Sequence, residues 1–227
     1  MYIPSQVLLG PLPLFNVLLI AAAALAFVLQ ERMKAPGRVQ DLLWALILGG
    51  LLGDKGIYIA TDPAYFVHNP SHLIFTPESR LGLWGAAAGA GLALLSVLVY
   101  HRKRWALSDL DAIALTVSPA LALWAMGFNW IGVATRIPLL TIATRHLNHF
   151  ATYFLWAILM AVGSGVIWIL RRSHSLKPGQ IAGVFLMTTA ITTVLASLTA
   201  ASRGNPFTSL QWFAVVLALA GYRLMGG

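Results

Sequence analysis

Cysteine is absent from this 227-residue chain, which excludes disulfides and any thiolate chemistry of its own. Carboxylates are scarce: seven Asp and Glu stand against fifteen Lys and Arg, and charged residues make up 10% of the chain. A soluble domain usually carries about 25%. No acid follows Asp111, so the second half has no carboxylate to offer. There is also no polar stretch long enough for a separate soluble domain. The P-loop, GxGxxG, HExxH and GxSxG patterns are all missing, and no motif asks for a cofactor.

What is present is apolar. Hydrophobic residues make up 59% of the chain and fall into seven runs, near 7–29, 39–60, 81–100, 109–132, 150–170, 179–200 and 209–224. A helix needs roughly 20 apolar residues to cross a ~30 Å hydrocarbon core. Only helices and closed barrels satisfy every backbone polar group in lipid. The expected fold is therefore all-α, a polytopic membrane protein whose residues 1–227 form a single transmembrane domain of about seven helices. The opening run begins Met1-Tyr-Ile-Pro, lacks a basic leader and continues into a full-length span, so no cleavable signal is expected.

The net charge of +8 is placed as topology requires, not as nucleic-acid binding would require. Arg32, Lys34, Arg38, Arg102, Lys103, Arg104, Arg171, Arg172, Lys177 and Arg223 all fall on one side of the predicted spans. By the positive-inside rule that side is cytoplasmic, which puts the N-terminus outside and the C-terminus inside. The remaining cations, Lys55, Arg80, Arg136, Arg145 and Arg203, lie at or beyond the opposite ends of spans. Arg136, Arg145 and Arg203 lack an acid in their own half of the chain. They either snorkel to the interface, pair with an N-terminal acid, or meet an anionic ligand such as a phospholipid.

Within the spans, Gly10-Pro11-Leu12-Pro13 should delay the first helix. Gly49 and Gly53 form a small-xxx-small face that admits a close neighbour, and LGLWGAAAGAGLALL in the third span predicts a place at the bundle centre. Asp54 and Lys55 sit inside the second span, where charges are costly unless paired or functional; a salt bridge to a neighbouring span competes with a functional role. The connector 61–80 reads as interfacial. Asn129 needs hydrogen-bond partners and ties two helices together or serves a site. His146 and His149 share a face if their segment is helical, but two histidines are too few for zinc, so no metal site is expected. The hydroxyls of the sixth span, Thr188 to Thr199, read as back-bonds and helix links before they read as a substrate path.

Taken in order, these pieces resemble the prolipoprotein diacylglyceryl transferase family. LLGPLPLFNVL at 8–18 is similar to its opening Gly-Pro segment, and LGDKGIY at 52–58 to its Gly-Gly-Arg-x-Gly-Tyr segment. HNPSHLIF at 68–75, LGLWGAAAG at 81–89 and SDLDAIAL at 108–115 fall in register with its interfacial stretch, third span and fourth-span entry. PALALWAMGFNWIG at 119–132 occupies the place of its Gly-Arg-x-Gly-Asn-Phe-x-Asn-Gly signature, followed by RHLNHF at 145–150 and KPGQIAGVFL at 177–186. The resemblance implies a seven-span bacterial inner-membrane protein. It also implies transfer of diacylglyceryl from phosphatidylglycerol to the lipobox cysteine of a lipoprotein precursor.

Several family positions hold other residues here. Trp84 stands for a His, Met126 for the signature Arg, Val17 for a Tyr, and Thr193 and Ser197 for an Arg and a Glu. Lys55 replaces an Arg conservatively, and Tyr58 and Arg145-His146 match. Displacing glycerol phosphate by a thiol requires removal of the thiol proton and stabilisation of the leaving phosphate. The groups available for this are His146 or His149 as base, Lys55, Arg136, Arg145 and Arg203 for the lipid phosphate, and Asn129 to position the headgroup. Two readings follow: a divergent transferase, or a non-catalytic relative that keeps the lipid-binding bundle as an accessory or structural subunit. A small transporter is a weaker third, because no inverted repeat is visible.

Overall fold

A computed structural model describes residues 8–9, 12–69, 80–102, 105–127, 131–135, 141–143, 148–173, 176–199 and 209–226. Within them the chain is a helical bundle: α1 Leu14–Arg32, α2 Gly37–Thr61, α3 Pro63–His68, α4 Arg80–Tyr100, α5 Leu107–Ala125, α6 Thr152–Ser173, α7 Gln180–Leu198 and α8 Ser209–Met225. Seven of these match the seven apolar runs, and the all-α membrane class holds. Four described helices, Gly37–Thr61, Leu107–Ala125, Thr152–Arg172 and Gln180–Leu198, are long and apolar enough to cross a membrane.

Local chemistry sets the helix ends. α1 begins directly after Pro13, as the two prolines predicted. It closes in a tight turn where Lys34 takes a positive φ of 51° and the Gln30 amide donates to the Ala35 carbonyl at 3.3 Å. Pro36 then precedes the first residue of α2. Asp62 ends α2 and caps α3, its carboxylate accepting from the Tyr65 N–H at 3.1 Å.

Small residues decide which helices meet. α2 and α4 form the most extensive pair, with Gly49 and Gly53 against Gly85 and Gly89. A Cβ on Gly49 would stand 2.7 Å from the Gly89 carbonyl oxygen, so the two backbones are in direct contact. α7 and α8 repeat the device through Gly183 and Gly221. The expectation of α4 at the bundle centre is corrected. Among the described residues its one extensive contact is with α2, and Leu92, Leu95 and Val99 on it are exposed. A glycine-rich face serves one close approach and says nothing of the opposite face. The hub is α5, which packs on α1, α6 and α7. Its buried Ala114 and Leu115 join Ile167, Ile181 and Ala182 in one cluster, while Ala120 joins Ala22, Ala26 and Leu43 in another.

The basic end of the bundle is tied by acids. Asp109, buried at 1% exposure, accepts from Arg38 Nε at 2.6 Å and Nη2 at 2.9 Å, and from the Ala106 N–H at 2.8 Å. Asp111 reaches from α5 to the start of α7, accepting from the N–H groups of Gly179 and Ala182, both at 2.8 Å. Asp41 meets His101 at 3.0 Å. These contacts occupy three of the seven acids at the basic end of the bundle.

At the far end the chain turns to short strands. β1 Leu8–Leu9 pairs with β2 Leu12–Pro13. β3 Ile131–Thr135 and β4 Thr141–Ala143 flank β5 Asn148–Ala151, both antiparallel to it. The fourth span therefore stops at Ala125, not near 132. His149 lies on β5, paired with Ala134 and Ile142, and not on a helix; His146 lies outside the described residues.

Candidate functional site

Two tightly packed pairs, α2 with α4 and α1 with α5, meet each other loosely. Between them lies a cavity of about 470 Å³, within the range of roughly 300–1,000 Å³ usual for ligand sites. Alanines open it: Ala22, Ala23 and Ala26 on α1, Ala86 and Ala90 on α4, and Ala120 on α5, with Gly50 on α2. Leu19, Leu46, Ile47, Val117 and Leu121 complete an apolar wall. Polar atoms appear towards one end only, from Asn16, Asp54, Lys55 and Trp124.

The charged pair sits about 9 Å along the axis from the last residue of α2, at 1.5 Å per residue. Lys55 Nζ lies 2.8 Å from Asp54 Oδ2, and both side chains are about three-quarters buried. The ammonium also stands 5.9 Å from the centroid of the Tyr58 ring. Across the seam, a Cβ on Gly82 would fall on the Asp54 carboxylate and 2.8 Å from the Tyr58 hydroxyl oxygen. The absence of a side chain at Gly82 thus lets the carboxylate press against α4. A salt bridge to a neighbouring span was the alternative expected for these charges; among the described residues Asp54 and Lys55 pair with each other instead.

Of the candidate site residues, Lys55 lines the cavity. His149 is half-buried on β5 and does not line it. His146, Asn129, Arg136, Arg145 and Arg203 lie outside the described residues. Asn16, Trp124 and the alanine walls were not singled out by sequence. The one signal for them is the run of four alanines at 21–24 with a further alanine at 26, a gap in bulk on a helix otherwise rich in Leu and Val.

The sequence model of the family described as prolipoprotein diacylglyceryl transferase matches residues 8–226. This chain belongs to that family. Relatives named phosphatidylglycerol–prolipoprotein diacylglyceryl transferase share its sequence at modest identity. The protein of Ruegeria pomeroyi is 29% identical over 174 residues, covering 67% of this chain and 58% of the relative. That of Enterococcus faecalis is 25% identical over 193 residues, covering 75% and 69%. That of Bordetella parapertussis is 24% identical over 246 residues, covering 96% and 92%. The chain thus spans less than two thirds of the length of the Ruegeria protein.

Thr193 accepts a hydrogen bond from the Trp156 indole at 3.3 Å. Ser197 is buried and donates to the Val194 carbonyl at 2.7 Å. Thr189 and Thr192 likewise donate to carbonyls one turn back, and Thr152 and Thr199 meet at 2.9 Å. The hydroxyls of α7 therefore serve the helix and its neighbour α6, as expected of them. Met126 sits at the C-terminal cap of α5.

Proposed function

We propose that this protein binds a phosphatidylglycerol-type phospholipid, with acyl chain in the α1/α2/α4/α5 cavity and phosphate at Lys55. One observation carries the reading: an apolar cavity whose polar groups gather at one end beside an ion pair. A lipid offers the same sequence of chemistry, hydrocarbon followed by a charged head. In this reading all seven long helices cross the bacterial plasma membrane as one domain, the basic end is cytoplasmic, and Lys55 lies near the outer interface. Arg136, Arg145 and Arg203 add charge for the headgroup and Asn129 orients it.

The reaction named for the relatives is the activity such binding serves. The cysteine sulfur of a lipoprotein precursor attacks the glyceryl carbon, the carbon–oxygen bond to phosphate breaks, and glycerol phosphate leaves. His146 or His149 takes the thiol proton. A second reading, binding without transfer, is favoured by the state of α7: the Arg and Glu positions hold Thr193 and Ser197, already engaged in hydrogen bonds. Loss of such charge stabilisation costs roughly 2.7–4 kcal/mol per donor.

Two measurements test these readings. Ala23→Phe fills the cavity from α1. Phospholipid co-purifying with the protein, read by native mass spectrometry, should fall several-fold; unchanged retention would remove the cavity from the proposal. Complementation of a transferase-depleted strain decides between the readings. Rescue that is lost in His146→Ala together with His149→Ala supports transfer, and a folded protein that fails to rescue supports binding alone.

A further inference from the structure

The ion pair in the cavity has an unusual geometry. Adjacent residues of a helix point about 100° apart and do not ordinarily face each other. Asp54 and Lys55 nevertheless curl together to 2.8 Å. Among the described residues lining the cavity no other side chain is charged, and apart from Asn16, Gly50 and Trp124 the wall is Leu, Ile, Val and Ala. Among the described residues each charge finds its counter-ion in the other. A ligand that takes only one of them leaves the second without its counter-ion in largely apolar surroundings, which is the costly outcome for a pair about three-quarters buried.

A bare phosphate monoester, as in phosphatidic acid, is such a ligand: it captures Lys55 and strands Asp54. A headgroup with a hydrogen-bond donor on a short carbon spacer beside its phosphate satisfies both, with phosphate on Lys55 and donor on the Asp54 carboxylate. Gly82 holds the carboxylate in place for this, since any side chain there would displace it. We infer that Asp54 is a specificity-determining residue that reads the donor of the headgroup. The site then selects phospholipids bearing a hydroxyl or ammonium beside the phosphate over those with bare phosphate. This rests on the lipid reading of the cavity proposed above.

The test uses the full chain in neutral detergent, offered phosphatidic acid, phosphatidylglycerol and phosphatidylethanolamine with identical acyl chains, and counts bound lipid by native mass spectrometry. The unaltered protein should retain at least one donor-bearing lipid about tenfold better than phosphatidic acid, a factor equal to about 1.4 kcal/mol. Stronger phosphatidylethanolamine retention identifies an ammonium donor, and stronger phosphatidylglycerol retention a hydroxyl. Asp54→Asn, which keeps shape and removes charge, should abolish the preference, and Asp54→Glu should restore part of it. Gly82→Ala should weaken it independently by displacing the carboxylate, and carries the test if Asp54→Asn fails to fold. Equal retention of phosphatidic acid by the unaltered protein, or a preference unchanged in Asp54→Asn or Gly82→Ala, overturns the inference. If Ala23→Phe and Lys55→Met leave all three lipids bound as before, the cavity reading itself fails. Loss of binding in those two variants with selectivity indifferent to Asp54 sinks this inference alone.

Discussion

Replacing Gly89 by Ala examines the α2–α4 seam on which the cavity depends. A Cβ at Gly89 would strike the Gly49 carbonyl oxygen and stand 2.7 Å from Gly53 Cα and 3.0 Å from Gly53 N. Carbon atoms in contact rest about 3.5–4.0 Å apart, so the shortfall is about 1 Å. All three atoms are backbone in α2, and no rotamer change relieves them. The helices must separate along a seam that includes Gly49, Gly53, Gly85 and Gly89. Overpacking of this kind costs about 1–3 kcal/mol, and the rigidity of both partners puts Gly89→Ala towards the top. Gly91→Ala on the same helix is the matched control, because nothing lies within 4 Å of its Cβ. There the better helix propensity of Ala, by up to about 1 kcal/mol, works in favour. Thermal unfolding in detergent should show Gly89→Ala melting several degrees below the unaltered protein and Gly91→Ala level with it or above. Equal midpoints for the two variants would refute the close backbone contact.

Three further outcomes follow from contacts elsewhere in the bundle. Asp111→Ala leaves the N–H groups of Gly179 and Ala182 without their acceptor, so stability should fall by about 1–2 kcal/mol. Hydrogen exchange at the start of α7 should accelerate, with Asp111→Asn intermediate. Asp109→Asn removes the anion gripped in two bonds by Arg38 and should lower the melting temperature. Arg38→Lys, which cannot form the fork, should reproduce part of that loss in the same melting assay. Thr193→Val removes only the acceptor for Trp156 and should cost about 1 kcal/mol or less. Lipid retention should stay unchanged, and a large drop in it would show that Thr193 belongs to the site.

Helix positions were legible because their cause is local. Every peptide group of a membrane helix must find its partner within its own segment, so the apolar runs and the helices coincide to within about three residues except at the start of α1 and the end of span four. The main discrepancy is span four, where apolar composition continued to Ile131 and Gly132 but the helix stopped at Ala125. Hydrophobicity alone does not distinguish a helix end from the first residues of an apolar strand. His149 lies on a strand, and a spacing of three means a shared face only where the segment is helical. The close approach at Gly49 and Gly53 was readable because only glycine permits it. Its partner on α4 was not, since Gly82, Gly85, Gly89 and Gly91 offered several possible registers.

Sequence alone determined the solvent, the helices and the membership of a family whose members are named as diacylglyceryl transferases. Only the tertiary structure decided that α5 and not α4 is the hub, that Asp54 and Lys55 neutralise each other, and that alanines on three helices leave a shared cavity. The reason is that burial in lipid acts on each segment separately, whereas a cavity is defined by side chains missing from several segments at once.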